Sequence, residues 1–271
     1  MPLEGWIPPV LLDWYRSSRG KRSGFAWEGV YRHFRDVPAR GSGFASEHWI
    51  KETLAYTRSL MYPTEGVVKD QTGIFREESY LTFLISIHAT VRRKTVRVVD
   101  FGGGMGNAYI HFRNNSVIGS NVEYHIVENE PVCDAGRDLL LDDPRVHFHS
   151  SLPAGLTGVD IVYICSALQY IEDYPGLLKA LCAYLPKYFL FVKLSAGDIP
   201  TYATEQRNLP GTVLPYWFLN AGEIRRIMEE NGFRLIYRCL MDREYDQGNF
   251  PPEYRLGRAW NLLFEGASDV D

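Results

Sequence analysis

Two carboxylates and a run of glycines form the most chemically specific pattern in this chain. Val98-Val99-Asp100-Phe101-Gly102-Gly103-Gly104-Met105-Gly106 reads as an apolar strand that ends in an acid and runs straight into a glycine loop. A chain leaving a strand for a helix must turn sharply, and a side chain on the turn would hold a ligand away from the backbone. Both requirements select glycine. Spacing then narrows the ligand. A dinucleotide loop, G-x-G-x-x-G, counted from Gly102 and Gly104 requires glycine at 107, where the chain has Asn107. A P-loop closes on Gly-Lys followed by Ser or Thr, and Gly106-Asn107-Ala108 supplies neither. Asp100 stands two residues before the first glycine, where its charge would repel a pyrophosphate but favour an ammonium. The ligand is therefore expected to be cationic at that end.

The second carboxylate is Glu128, at the end of Glu123-Tyr124-His125-Ile126-Val127-Glu128. An acid at the tip of the next strand, about 20 residues beyond the loop, is placed to accept the two hydroxyl hydrogen bonds of a ribose. Charge-assisted bonds of this kind are each worth roughly 1.5 to 3 kcal/mol, so loss of the carboxylate should weaken ligand binding by at least an order of magnitude.

The elements that must position these groups follow from periodicity. From position 96 onward, short apolar runs alternate with helical patterns, as in a parallel sheet with crossover helices. Strands are expected over 96–100, 123–128, 146–149, 160–165 and 188–193. Helices are expected from Asn107, from Pro131 and from Pro175, and a further one has Asn220 as N-cap, Glu223 closing a capping box and Gly232 as terminator. Two last strands, 234–241 and about 258–264, should pair antiparallel. The segment Ser195 to Leu219 reads as a long loop that shapes a pocket. Upstream, helical spacing from Trp49 to Met61 and from about Glu77 to Thr90 predicts helices that cap the carboxyl edge of the sheet. The division expected is an amino-terminal cap over 1–75 and an α/β domain over 76–271.

An acid followed by G-x-G-x-G resembles motif I of class I methyltransferases, and seven strands with a reversed carboxy-terminal hairpin is that family's core. The resemblance implies S-adenosylmethionine as cofactor and a Rossmann-like seven-stranded α/β sheet. It implies cofactor contacts from Asp100, Phe101, Gly102, Gly103, Gly104, Gly106, Asn107 and Glu128, with Asn129 packing the adenine. Ser150 and Ser151 follow the third strand where the family contacts adenine, although the aspartate common there is absent. Cys165-Ser166-Ala167-Leu168-Gln169-Tyr170 resembles the motif IV region, which implies that Ser166 faces the methionine moiety and that Gln169 and Tyr170 border the acceptor. The N-P-P-Y or D-P-P-Y motif of methyltransferases acting on DNA bases or glutamine is missing. The segment Phe25 to Tyr31, the V-D-F-G-G-G-M-G-N loop, H-I-V-E-N and L-P-Y-W-F-L-N together resemble a family of uncharacterised bacterial methyltransferases associated with surface-polysaccharide gene sets. That resemblance implies a sugar or sugar-nucleotide hydroxyl as acceptor.

Composition bounds the partners. The chain has 271 residues, 45% hydrophobic and 23% charged, and a formal net charge of -4. This is a folded, slightly acidic protein without the positive field that nucleic acid selects. The basic run Arg92 to Arg97 reads as a solvated connector, and no apolar run reaches the roughly 18 residues of a membrane span. Met1 to Tyr15 lacks the pattern of a signal peptide, so a cytoplasmic enzyme is expected. Cys133, Cys165, Cys182 and Cys239 suggest neither zinc nor disulfides, and no cluster has the linear spacing of metal ligands, so no metal is expected. Of seven histidines, His125 and His147 lie inside strands and read as structural, which leaves His48 as the candidate general base beside Gln169 and Tyr170. A nicotinamide-dependent oxidoreductase and a non-catalytic methyltransferase-like binding protein are the competing readings. Sequence leaves the oligomeric state open.

Overall fold

The computed structural model of the chain describes residues 25–61, 78–92, 95–116, 121–209 and 211–266. Met1 to Tyr15, the expected boundary at 75/76 and Arg93-Lys94 of the basic connector lie outside the described residues. In chain order come β1 (Trp27–Tyr31), α1 (Glu47–Met61), α2 (Glu78–Arg92), β2 (Val96–Phe101), α3 (Asn107–Asn115), β3 (Val122–Val127), α4 (Glu130–Leu139) and β4 (Val146–His149). There follow β5 (Ile161–Cys165), α5 (Tyr174–Cys182), β6 (Tyr188–Leu194), β7 (Ala196–Gly197), β8 (Tyr202–Gln206) and β9 (Leu214–Asn220). The chain closes with α6 (Ala221–Glu230), β10 (Phe233–Glu244) and β11 (Arg258–Gly266).

The main sheet has seven strands in the order β10-β11-β6-β5-β2-β3-β4. Pairing is parallel from β6 through β5, β2 and β3 to β4, and β11 alone runs against both of its neighbours. This is the expected mostly parallel α/β sheet with a reversed last strand. Strand order reverses on either side of β2, so the loop after β2 opens at the switch point where α/β sheets bind ligands. Alternation along each strand divides the core between two faces. Val99, Val127, Val162 and Phe191 pack with α5 and α6, whereas Val98, Tyr124, Tyr163 and Leu190 pack with α2 and α3. Ile161, Val162, Tyr163 and Ile164 of β5 are all at most 1% exposed, as a central strand covered on both faces requires.

The helix expected after Asn220 forms, but the capping box does not close as sequence suggested. Asn220 Oδ1 accepts from the Glu223 N–H at 2.9 Å, while the Glu223 carboxylate accepts from the Thr201 hydroxyl at 2.7 Å. Thr201 in turn accepts the Asn220 N–H at 2.9 Å, so a threonine stands between the two halves of the motif.

Two expectations need correction. Ser195 to Leu219 is not a loop, because β7, β8 and β9 join β1 in a second, four-stranded sheet ordered β1-β8-β9-β7. Polarity hid the strands: Thr204, Glu205 and Gln206 are buried but satisfied, Thr204 on the Glu28 carbonyl at 3.0 Å, Glu205 by Tyr31 at 2.7 Å and Gln206 by Tyr170 at 2.9 Å. The helix α2, expected over the carboxyl edge, lies instead along the sheet face. Its Leu81 and Ile85 join the core with Val96 and Val98, and His88 Nε2 sits 3.0 Å from Asp160 Oδ1, just before β5 begins.

Candidate active site

The glycine loop is shaped by packing on three sides and open on one. A Cβ on Gly102 would fall 2.3 Å from the Ala167 Cβ, and one on Gly103 would fall 2.5 Å from the Asp100 carboxyl. At Gly106, in the left-handed region at φ +89°, a Cβ would press on Leu140 at 2.9 Å. Gly104 differs, since its φ is +58° and nothing lies within 4 Å of a Cβ built there. Gly102 thus lets the segment after β5 close on the loop, while Gly104 leaves bare backbone facing free space. Beneath them Met105 is fully buried and anchors the turn.

Asp100 is 1% exposed and accepts from the Tyr124 hydroxyl at 2.8 Å through Oδ2. Its other oxygen, Oδ1, is buried and has no hydrogen-bond partner. Burial pushes its pKa up to about 7, with the Tyr124 bond working against the shift and the charge of Glu128 adding to it. Glu128, just beyond β3, accepts from the backbone N–H of Gly104 and so ties the strand tip to the loop. Its Oε2 also accepts from the backbone and side-chain amides of Asn129 at 2.8 and 2.9 Å. Burial raises its pKa, and these hydrogen bonds restrain the rise.

The remaining expected residues line the same edge in the order β5, β2, β3, β4. Ser166 is exposed just past β5 and holds φ +54°, a strained left-handed value for a side-chain-bearing residue. Asn129 caps α4 through Val132 N at 3.3 Å, a structural duty the sequence resemblance did not suggest. Ser150 and Ser151 are exposed beyond β4, where Ser150 bonds the Glu130 carboxylate. Asn107 Oδ1 accepts from the fully buried hydroxyl of Thr57 at 2.7 Å, which fastens α1 to the loop. Thr57 and Tyr124 are the partners that sequence reasoning missed. Both sat among ordinary helix-face and strand residues, with nothing in spacing to mark them.

A second group of side chains stands where the four-stranded sheet meets the segment after β5. Gln169 is fully buried, and its Nε2 donates to Ser166 Oγ at 3.2 Å, the Lys193 carbonyl at 3.3 Å and Tyr216 Oη at 3.4 Å. Its Oε1 and Trp27 Nε1 are buried without partners. Tyr216, its hydrogen-bond partner, belongs to a run of rings in contact with one another at 4.9 to 5.9 Å: Tyr170 with Tyr216, Tyr216 with Trp27 and Trp27 with Tyr245. Phe44 joins this group to α1, meeting Tyr170 at 4.8 Å and Trp49 at 5.1 Å. His48, beside Trp49, is exposed in the first turn of α1.

A family model described as a methyltransferase domain matches residues 70–238, more than half of the chain. The chain belongs to this methyltransferase family. Among solved structures, a Listeria monocytogenes protein described as an S-adenosylmethionine-dependent methyltransferase superposes with a TM-score of 0.51 at 13% identity, over 71% of this chain and 99% of that one. The 1,6-didemethyltoxoflavin-N1-methyltransferase of Burkholderia thailandensis, solved with S-adenosylhomocysteine, gives 0.49 at 14% identity, over 85% and 94% of the chains. Magnesium protoporphyrin IX methyltransferase from Synechocystis PCC 6803 gives 0.49 at 12% identity, over 81% and 97%. Likeness at these identities is one of fold, and no curated protein sequence matches. Three features of the sheet edge bear on the S-adenosylmethionine that the sequence resemblance implies: the open backbone at Gly104, the unpartnered Asp100 oxygen and the carboxylate of Glu128. No helix among the described residues is long and apolar enough to cross a membrane.

Proposed function

We propose that this methyltransferase acts on a hydroxyl of a small sugar or sugar nucleotide, in the cytoplasm of a bacterium that builds surface polysaccharide. The observation that carries the proposal is the aromatic run of Tyr170, Tyr216, Trp27 and Tyr245, joined to Gln169 through Tyr216, in which two buried polar atoms, Gln169 Oε1 and Trp27 Nε1, stand unpartnered. Ligand sites combine apolar and aromatic walls with a few placed polar groups, and a hydroxyl-rich ring matches that mixture. When bound, S-adenosylmethionine supplies an electrophilic methyl on a sulfonium. Asp100 holds the ammonium end, the Gly102 to Gly106 backbone admits the chain between them, and Glu128 takes the ribose hydroxyls, with Phe101, Asn107, Asn129, Ser150, Ser151 and Ser166 around it. The fit described above supports these roles.

Gln169 and Tyr170 orient the acceptor in this proposal. Burial raises the Tyr170 pKa well above that of a free phenol, so the residue stays a hydrogen-bond donor and does not serve as base. Proton removal falls to His48, whose neighbour Trp49 belongs to the same aromatic run. The test is turnover, read as S-adenosylhomocysteine formed with a panel of free sugars, nucleotide sugars, amines and carboxylates. Hydroxyl-dependent turnover with sugars or nucleotide sugars is expected, and Gln169→Leu or Tyr170→Phe should cut it roughly 10- to 100-fold, as expected for loss of acceptor orientation, with cofactor affinity unchanged. Methylation confined to amines or carboxylates would refute the sugar assignment.

The Asp100 assignment makes a separate prediction with a definite sign. A carboxyl raised from 3.8 to about 7 adds stability to the free protein below pH 4 and loses it as pH rises to 7. Holding an ammonium requires the ionised form, so cofactor binding should expel a proton near neutrality. Affinity for S-adenosylhomocysteine is expected to be roughly tenfold weaker at pH 6.0 than at pH 7.5. Calorimetry in buffers of different ionisation enthalpy reads the proton directly, and Asp100→Asn should flatten the slope. A slope that survives in that variant would remove Asp100 from the site.

A further inference from the structure

Below the edge that carries Glu128, β3 and β4 run parallel and in register, with His125 opposite His147 and Val127 opposite His149. Side chains alternate across a strand, so Glu123 and His125 share one sheet face with His147 and His149. Linear spacing gave no sign of this group, because its members come from two strands. The absence of metal-ligand spacing in the sequence is thus no guide to what the sheet assembles. One ligand atom from each of Glu123, His125 and His147 lies within 4.8 Å of the others. His125 Nε2 is 3.0 Å from Glu123 Oε1, and the His125 and His147 rings stack with centroids 4.9 Å apart.

We propose that Glu123, His125 and His147 bind a divalent transition-metal cation of the zinc class, with His149 orienting the His125 ring. Two imidazoles and a carboxylate suit such an ion and are poor ligands for magnesium or calcium, which select oxygen. Ligand atoms sharing a tetrahedral zinc lie about 3.3 Å apart, so Glu123 and His125 already stand near their bound separation. The fourth position is left for water.

The surroundings supply what such ligands require. Without metal the Glu123 carboxylate can only accept, so the His125 proton stands on Nε2 and Nδ1 accepts from His149 Nε2 at 3.0 Å; a metal on Nε2 displaces that proton, and His149 then accepts from Nδ1. Glu123 keeps Oε1 toward His125 while Oε2 accepts from Arg97 Nη2 at 2.6 Å and Nε at 3.0 Å, which holds the carboxylate in plane. Arg97, and Arg137 acting on His149, oppose a cation, so binding should be weaker than at a four-ligand structural zinc centre. The ion would staple β3 to β4 directly below Glu128, whose backbone N–H bonds the His149 carbonyl at 3.0 Å.

The tag-free, full-length chain, stripped with chelator, tests this by titration with zinc chloride in a non-coordinating buffer. One zinc per chain is expected, with a rise in Tm of about 5 to 10 °C at a free concentration near 100 times Kd. Magnesium and calcium should give no rise, and cobalt should give the visible absorption of a tetrahedral site. His147→Gln should abolish saturable binding, and His149→Ala should weaken it about 10- to 100-fold while leaving one zinc bound. Retained binding of S-adenosylhomocysteine shows that both variants fold. Absence of saturable one-to-one binding, or binding unchanged in His147→Gln, overturns the proposal.

Discussion

Gly102→Ala is expected to abolish measurable cofactor binding and to lower Tm by about 5 to 15 °C. Carbon atoms rest about 3.5 to 4.0 Å apart, and the new Cβ would stand 2.3 Å from the Cβ of Ala167. The backbone there is left-handed at φ +73°, which costs a side-chain-bearing residue roughly 1 to 2 kcal/mol before any clash is counted. Overpacking adds about 1 to 3 kcal/mol, because relief requires moving either the loop or the segment after β5. That segment has little room to yield, since Ser166 already holds a strained conformation and Gln169 is bonded to three partners. The double variant Gly102→Ala/Ala167→Gly separates the causes. It should recover the part of the Tm loss due to the clash and leave the part due to φ. An unchanged Tm in the single variant would mean that the loop does not close on Ala167.

Glu128→Gln is the second large expectation: affinity for S-adenosylhomocysteine should fall about 10- to 100-fold, measured by calorimetry at pH 7.5. Glutamine keeps the shape and one accepting oxygen, enough for the two Asn129 N–H groups that meet Oε2, so the fold should survive. What disappears is the charge that strengthens hydrogen bonds to two ribose hydroxyls. Because burial raises the Glu128 pKa, removing its ionisation also spares the free protein a desolvation cost. Tm of the free variant should therefore hold or rise while binding fails. A variant that binds as tightly as the parent would show that the ribose lies elsewhere.

Much of this site was legible because its parts are contiguous. Apolar strand, acid and glycines follow one another in Val98 to Gly106, and local sequence suffices to fix the turn they make. Glu128 was legible for the same reason, one strand on. Features formed by register across elements were not. Thr57 reaches Asn107 from 50 positions away, and nothing in either residue type announces the bond. The four-stranded sheet was hidden because Thr204-Glu205-Gln206 carries the polarity of a loop, and only the partners supplied by Glu28, Tyr31 and Tyr170 make its burial tolerable. The histidines of β3 and β4 read singly as strand residues, and became a group only once His125 faced His147. Position α2 was misplaced because a helix pattern states that one face is apolar, without stating which surface covers it.

The central claim, that the bare loop and its two flanking acids form the cofactor site, meets its most direct test in a calorimetric titration of the full chain at pH 7.5 with S-adenosylhomocysteine and, separately, with NAD. Saturable one-to-one binding of S-adenosylhomocysteine, lost in Gly102→Ala and weakened in Glu128→Gln, with no heat from NAD, is the predicted result. Saturable binding of NAD with none of S-adenosylhomocysteine, or S-adenosylhomocysteine binding indifferent to both substitutions, would contradict it.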